Sequence, residues 1–426
     1  MKANYLKKTY YFYRKNGFIK TIQRIISYCK IISNRKHQEY IISENKDNET
    51  FWMPLVEVLE KNEKEVEFVD IFHVPMGWET PLFQRFQHIS LQAGHIVGIS
   101  FYGAHPTVDK DVHTFKKIND KLYLVNFENY DVKTKFFEIM DKYNKVKVIR
   151  LQSIDLATTI EELESFILRG YKILYEYIDE LTPQITGDIP DFVWKRHEYV
   201  LRNEEIYVIA TSDKLYSQVL KYRSKNCILS CNGVDYEHWN LNNKNIVPPK
   251  DIQEIVDSNK IIIGYHGALA KWIDYDLIKK IADDGRFIVL LIGYEHDLSF
   301  ANSGLKTHKN IRYIGHKNYN ILNYYSHFYD IAIIPFKVND ITQSVSPVKL
   351  FEYMAAGKPI VTYDLHECRK YNSCIISKDM NDFIKNINIA LEMRNNKEYL
   401  ETLKREASQN TWRQKALEMK ELFLSN

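Results

Sequence analysis

The chain has 426 residues, 45% hydrophobic and 27% charged, with a formal net charge of +3. That length fits two domains with full cores, and the lack of low-complexity tracts excludes a disordered or fibrous protein. No run of 18 apolar residues is present, so no transmembrane helix is expected, and nucleic acid is not among the expected partners.

Residues 1–60 read as a basic helical segment. Ten basic residues, from Lys2 to Lys36, precede the first acidic residue, Glu39. Phe18, Ile22, Ile25, Cys29 and Ile32 share one helical face. Such a helix suits an anionic membrane surface, where each basic residue contributes about 1 kcal/mol; the alternative is that its apolar face packs on the protein. The segment lacks the continuous apolar core and small-residue cleavage site of a signal peptide. The five cysteines, Cys29, Cys227, Cys231, Cys368 and Cys374, are odd in number and lack zinc-finger spacing. Reduced thiols in the cytosol are expected. The expected location is cytoplasmic, peripheral on the inner face of the cell membrane.

From residue 66, apolar runs alternate with helical stretches. Predicted strands are Val66–Val74, His95–Phe101, Leu122–Phe127, Val146–Leu151, Lys172–Tyr177, Ile206–Thr211 and Ile228–Cys231. A polar, proline-ended linker follows, and then a second series: Lys260–Tyr265, Arg286–Ile292, Ile311–Ile314, Ile331–Pro335, Ile360–Tyr363 and Ser373–Ser377. The pattern predicts an α/β chain of two doubly wound, Rossmann-like domains in tandem. The expected boundaries are 61–240, a linker at 241–258, 259–400, and a C-terminal helix at 401–426. Helix is expected from about Asp379 onward, with Trp412 as its one large aromatic anchor. Ligands in such domains bind beyond the carboxyl ends of the strands, which predicts an interdomain cleft.

Two first-domain segments should face that cleft. The loop from Met76 to His88 carries Trp78, Arg85 and His88, and exposed aromatics beside those cations would suit a saccharide or lipid-diphosphate acceptor; a core-packing loop with a structural Arg85 is the alternative. Asp179, at the carboxyl end of Lys172–Tyr177, is placed for acid–base work or for stabilising positive charge. The alternative is a helix cap. Glu198 is a weaker candidate.

The densest signal is Ser346-Pro347-Val348-Lys349-Leu350-Phe351-Glu352-Tyr353-Met354-Ala355-Ala356-Gly357-Lys358-Pro359-Ile360-Val361. It predicts a short helix with Ser346 as N-cap, Pro347 at the first helical position and Gly357 closing the far end. Lys349 and Glu352 then share a face near the helix N-terminus. That end favours phosphate, and an acceptor-only carboxylate one turn deeper suits a sugar diol. A solvated Lys–Glu pair is the alternative.

This stretch resembles the donor-site signature of GT-B glycosyltransferases of the family 4-like group. Asn232-Gly233-Val234-Asp235 resembles the segment before their interdomain linker. The Trp, Gln-Arg and Gln-His placement of the first loop is similar to enzymes of teichuronic-acid and capsular-polysaccharide assembly. The resemblance implies a ribose role for Glu352 and a phosphate role for Lys349, with Ser346 as a further donor-binding residue. It also implies a donor-phosphate loop at Gly264–Trp272, with Gly267 and Lys271 as contacts, and a base-bordering loop at Gly315-His316. The C-terminal helix would return to the first domain. The expected activity moves a sugar from a nucleoside diphosphate donor, UDP- or GDP-linked, to a lipid-linked acceptor, without cofactor or metal. Two departures stand out. Ala268 occupies the position of a family arginine, and Ser344 that of a second carboxylate, for which Asp340 or the backbone amides at Gln343–Ser344 are candidate substitutes; an ordinary turn residue is the alternative for Asp340. A nucleotide-sugar epimerase and a silent sugar-nucleotide binder remain alternatives.

Overall fold

A computed structural model describes residues 53–183, 188–241 and 245–424. The basic segment expected at 1–60 falls almost wholly outside the described residues. In chain order the first part runs α1 (Met53–Asn62), β1 (Phe68–Phe72), α2 (Arg85–Gln92), β2 (Gly98–Gly103), β3 (Phe115–Asn119), β4 (Leu122–Val125), α3 (Tyr130–Lys142), β5 (Val146–Gln152), α4 (Ile160–Leu168), β6 (Lys172–Tyr177), α5 (Asp191–Arg202), β7 (Ile206–Ala210), α6 (Asp213–Val219) and β8 (Cys227–Leu229). The second part runs β9 (Ile261–His266), α7 (Tyr275–Asp283), β10 (Phe287–Ile292), β11 (Ile311–Tyr313), α8 (Tyr319–Ser326), β12 (Ile331–Ile334), α9 (Val348–Ala355), β13 (Ile360–Tyr363), β14 (Cys374–Ser377), α10 (Met380–Met393), α11 (Lys397–Gln409) and α12 (Trp412–Leu424).

Packing divides the chain into two compact units. The described part of the first is 53–80 with 97–146, and the second holds 81–96 with 147–424. The expected boundary at 241–258 falls inside the second unit. In the first unit β1, β2 and β4 pair in parallel, and β3 adds an antiparallel edge. Strand β3 is not among the strands expected from sequence. Its Lys117 and Asn119 are exposed, and a polar edge strand lacks the apolar alternation that marks a buried one. Strand β2 begins at Gly98, three residues later than expected, because Ala93–Ile96 forms a 3-10 turn.

In the second unit, β5 to β8 are parallel in sequence order. The other sheet has the order β11-β10-β9-β12-β13-β14, all parallel. Its strands read as continuous apolar runs, such as Phe-Ile-Val-Leu-Leu-Ile in β10, because helices cover both faces. This order reverses direction between β9 and β12, and the crevice beyond their carboxyl ends is where such a sheet receives ligands. Gly264 lies within β9 rather than after it. A side-chain carbon there would come within 2.2 Å of the Tyr329 ring, so this glycine admits a packed aromatic and not a phosphate.

The C-terminal stretch is three helices, not one. Asp379 caps α10, and Asn396 caps α11 by accepting from Tyr399 N–H. Backbone bonds join Val234 to Asn410 and Trp412, after which α12 packs on α2 and on β7. The four described cysteines are buried and unpaired with one another.

Candidate functional site

A cavity of about 610 Å³ lies in the second unit, at the carboxyl ends of β9 and β12. Its wall includes Asp179, His266, Gly267, Lys271, His316, Ser346, Lys349 and Glu352, together with the segment Pro81–Arg85. Most of the donor-side residues expected from sequence are therefore brought to one place.

Helix α9 forms one wall. Its far end closes as a Schellman motif: Gly357 is left-handed (φ 66°), its N–H donates to Met354 O, and Lys358 N–H donates to Tyr353 O, both at 3.0 Å. Its start differs from expectation. Pro347 takes the cap position in extended conformation, with no side-chain cap. Ser346 instead accepts from Asn232 N–H through its hydroxyl at 3.3 Å, and its carbonyl accepts from Asn232 Nδ2 at 2.7 Å. Ser346 thus anchors the start of α9 to the Asn232-Gly233 turn.

Lys349 and Glu352 share a face, as their spacing requires. The Lys349 ammonium lies 4.7 Å from the centre of the Phe336 ring and 5.5 Å from that of Tyr265. Its contacts are with aromatic faces, which attract a cation but do not neutralise it. Burial pulls its pKa down to about 8, against the opposing pull of Glu352. Glu352 is buried, and its Oε2 lies 2.8 Å from His266 Nε2. Gly267 leaves β9 at φ 131°, and a side chain there would meet Lys349 Cε at 2.9 Å. Its N–H is already committed to Ile292 O at 2.9 Å.

Asp179 follows β6, and its backbone N–H and carbonyl both engage Ser153 Oγ. It does not cap a helix. Burial alone raises its carboxyl pKa to about 6. Lys271 and His316 are exposed on the rim. The Lys271 N–H donates to Asp297 Oδ2 at 3.0 Å. Ser344 is buried, with its hydroxyl 2.7 Å from Ile341 O, and Asp340 is exposed; neither lines the cavity, whereas Asn339, Ile341 and Thr342 do.

The first-loop residues do not stand exposed as expected. Trp78 belongs to the first unit, where its N–H donates to Asp109 and its ring meets Tyr102 edge-on at 5.2 Å. His88 is 2% exposed and stacks on Trp412 at 4.6 Å. Burial keeps it well below the usual histidine range, so it is a neutral packing ring. Arg85 reaches the cavity wall but is 3% exposed. Its Nε donates to Glu176 Oε1 at 2.7 Å, and its Nη1 to the carbonyls of Ser230 and Cys231. Arg150 takes the other oxygen of Glu176 at 3.1 Å. This arrangement fastens α2 to the sheet. Glu198 is exposed and pairs with Arg202.

Sequence reasoning passed over His266, Tyr319 and Phe83. Phe83 and Tyr319 stack at 5.0 Å on the cavity wall. The alternation of β9 places His266 on the face of Gly264 and Ile262, a signal that a polar residue ends that row. Among the described residues one cluster has metal-ligand spacing, Asp213, His366 and Glu367. Lys370 already bonds both carboxylates, at 2.9 and 2.7 Å.

No protein-family profile matches the chain. Over 143 residues it is 31% identical to TuaH of Bacillus subtilis strain 168, a protein named as a teichuronic acid biosynthesis glycosyltransferase. The match spans 33% of this chain and 34% of TuaH, so about a third of that relative is covered. Among solved structures, Anabaena HepE in complex with UDP-glucose superposes with a TM-score of 0.60 at 12% identity, over 84% of this chain and 100% of HepE. WaaG, a glycosyltransferase involved in lipopolysaccharide biosynthesis, gives 0.55 at 10% identity, over 84% and 100%.

Proposed function

The fold is that of the GT-B glycosyltransferases, with two Rossmann-like parallel-sheet domains, and from this premise we propose that the chain transfers a sugar from a UDP- or GDP-linked donor to a saccharide acceptor. The reading extends to a lipid-linked acceptor in cell-envelope polysaccharide synthesis, with the basic residues before Glu39 attaching the enzyme to an anionic membrane. The observation that carries it is the pairing on α9: an ammonium held against two rings and a carboxylate one turn deeper, both in a cavity at the sheet's switch point. A nucleoside diphosphate supplies the anion for Lys349 and hydroxyl donors for Glu352. The names of TuaH, HepE and WaaG point the same way.

In the proposed reaction the bond from the anomeric carbon to the diphosphate oxygen breaks, and the acceptor oxygen bonds to that carbon. The leaving diphosphate gathers charge, and Lys349, the start of α9 and Lys271 meet it. These cations take the role a metal ion would otherwise fill, so turnover is proposed to be metal-independent. Asp179 receives the acceptor's proton; a pKa of about 6 leaves it mostly ionised at neutral pH, yet basic enough for the task. Of the three acceptor residues expected from sequence, only Arg85 borders the cavity, and its bonds make it a support. The acceptor role passes to the Pro81–Gln84 segment, with Phe83 as its aromatic surface.

Calorimetric titration tests the reading. The protein should bind UDP or GDP, and Glu352→Gln should weaken that binding roughly 10- to 150-fold, the worth of a charged hydrogen bond. Unchanged affinity in the variant removes Glu352 from the site. Donor turnover that needs no acceptor and releases no nucleotide would favour the epimerase.

A further inference from the structure

We infer that His266 is a positioning residue which fixes the Glu352 carboxylate for the donor's ribose, and so sets a preference for ribonucleotides over deoxyribonucleotides. The inference rests on the donor site proposed above.

His266 is held from four directions. As the last residue of β9, its N–H donates to Tyr353 Oη at 3.0 Å. Its ring stacks on Trp239 with centroids 5.1 Å apart at 24°, and Tyr353 meets it edge-on at 4.7 Å. Trp239 is itself fixed, donating from Nε1 to Tyr319 Oη at 3.1 Å. The remaining contact is His266 Nε2 to Glu352 Oε2 at 2.8 Å. A side chain clamped in this way has one rotamer, and it passes that constraint to the carboxylate.

The chemistry of the pair follows from burial. The ring is 2% exposed, and burial holds its pKa below the ordinary histidine value despite the carboxylate beside it. The imidazole is therefore neutral, and its one N–H, on Nε2, donates to the Glu352 carboxylate. His266 Nδ1 then carries a bare lone pair and no partner, as a ring with one donor requires. A neutral donor orients Glu352 without cancelling its charge. Arginine or lysine in the same place would form an ion pair and leave a poorer acceptor. Oε2 is thus occupied and aimed, and Oε1 is left to accept hydroxyl hydrogens from a ligand on the cavity side. The rotamer freedom of Glu352 is lost on folding instead of on binding, which is how preorganisation raises affinity and selectivity.

The test uses the full chain and compares UDP with its 2′-deoxy and 3′-deoxy analogues by calorimetry, or the GDP series if GDP binds better. Wild type should prefer the ribonucleotide by about 10- to 100-fold over at least one analogue. His266→Phe keeps a ring between Trp239 and Tyr353 but removes the donor. Its preference should fall about tenfold while its affinity for inorganic pyrophosphate stays unchanged. His266→Gln, which can donate from its amide, should retain most of the preference. In a Glu352→Gln background, changing His266 should have no further effect on the ratio. A Phe variant that keeps the wild-type ratio overturns the inference, as do independent, additive effects of the two positions. If His266→Phe does not fold, the Gln variant and the Glu352→Gln background decide it. Wild-type protein that binds neither UDP nor GDP overturns the donor reading itself, whereas binding without ribose preference overturns only the part played by His266 and Glu352.

Discussion

Two sets of charged side chains lie in the second unit and are built on opposite terms, the first reaching the cavity wall only through Arg85. Arg85, Arg150 and Glu176 are almost fully buried, and each charge meets an opposite charge or a carbonyl at hydrogen-bond distance. Lys349 and Asp179 are largely buried, and neither has an ion-pair partner at that distance. The first set gains a fixed geometry, joining α2 to β5 and β6. The second set keeps its charges available, and burial without a partner moves their pKa values, the lysine down to about 8 and the aspartate up to about 6. A buried charge that is satisfied holds the protein together. One that is left unsatisfied is held by the rest of the fold, and it is the one a ligand can complete.

The largest effect should come from breaking the satisfied set. Glu176→Gln keeps the shape but leaves two buried guanidinium groups without a carboxylate. Urea unfolding should show a loss of about 3–5 kcal/mol. A loss below about 1 kcal/mol would mean that the carbonyls alone hold both arginines, and the contrast would fail.

Asp179→Asn sharpens it from the other side. Turnover should drop at least 100-fold, about 3 kcal/mol in the barrier, while donor affinity is retained. Stability should move the opposite way. The folded-state pKa lies above the unfolded value of 3.8, so ionisation costs the folded protein. That cost appears as pH rises from about 4 to 6 and stays constant above. Asparagine removes it, so the variant should be more stable at pH 7 by about 2–3 kcal/mol and no more stable at pH 3. A melting curve that falls at neutral pH would return Asp179 to a structural role.

Lys349→Met should show the same sign with a similar gain, about 2–3 kcal/mol at pH 7. Here the folded pKa lies below the unfolded value of 10.5, so the protonated amine costs stability below pH 8. The gap between variant and wild type should close as pH rises from about 8 to 10.5. Donor affinity should fall with the substitution, and in the wild type it should decline above pH 8 as the ammonium is lost. Affinity that is flat across this range would separate Lys349 from the diphosphate.

The sequence showed much of the donor side because its signals are local. Gly357 ends α9 through bonds that span a few residues, and Lys349 and Glu352 meet because they lie three apart. The errors lie where a partner is distant in the chain. Ser346 looks like a cap until Asn232, 114 residues away, takes its hydroxyl. Arg85 looks exposed until Glu176, 91 residues away, closes on it. His88 reads as polar until Trp412 stacks on it. The single C-terminal helix is a different kind of error: Asp379 stands where the helix is expected to start, but the sequence also holds the internal cap Asn396, which begins a second helix.

Gly293 and Gly267 meet backbone to backbone. A methyl group on residue 293 would sit 1.8 Å from the Gly267 carbonyl oxygen, and the φ of 152° at residue 293 is one that glycine adopts freely. A survey of tolerated substitutions should therefore rank residue 293 with the reacting groups, though it has no side chain to offer. Strict intolerance at that position would measure room, and a reader of such a survey who equated intolerance with chemistry would assign a role to a hydrogen atom.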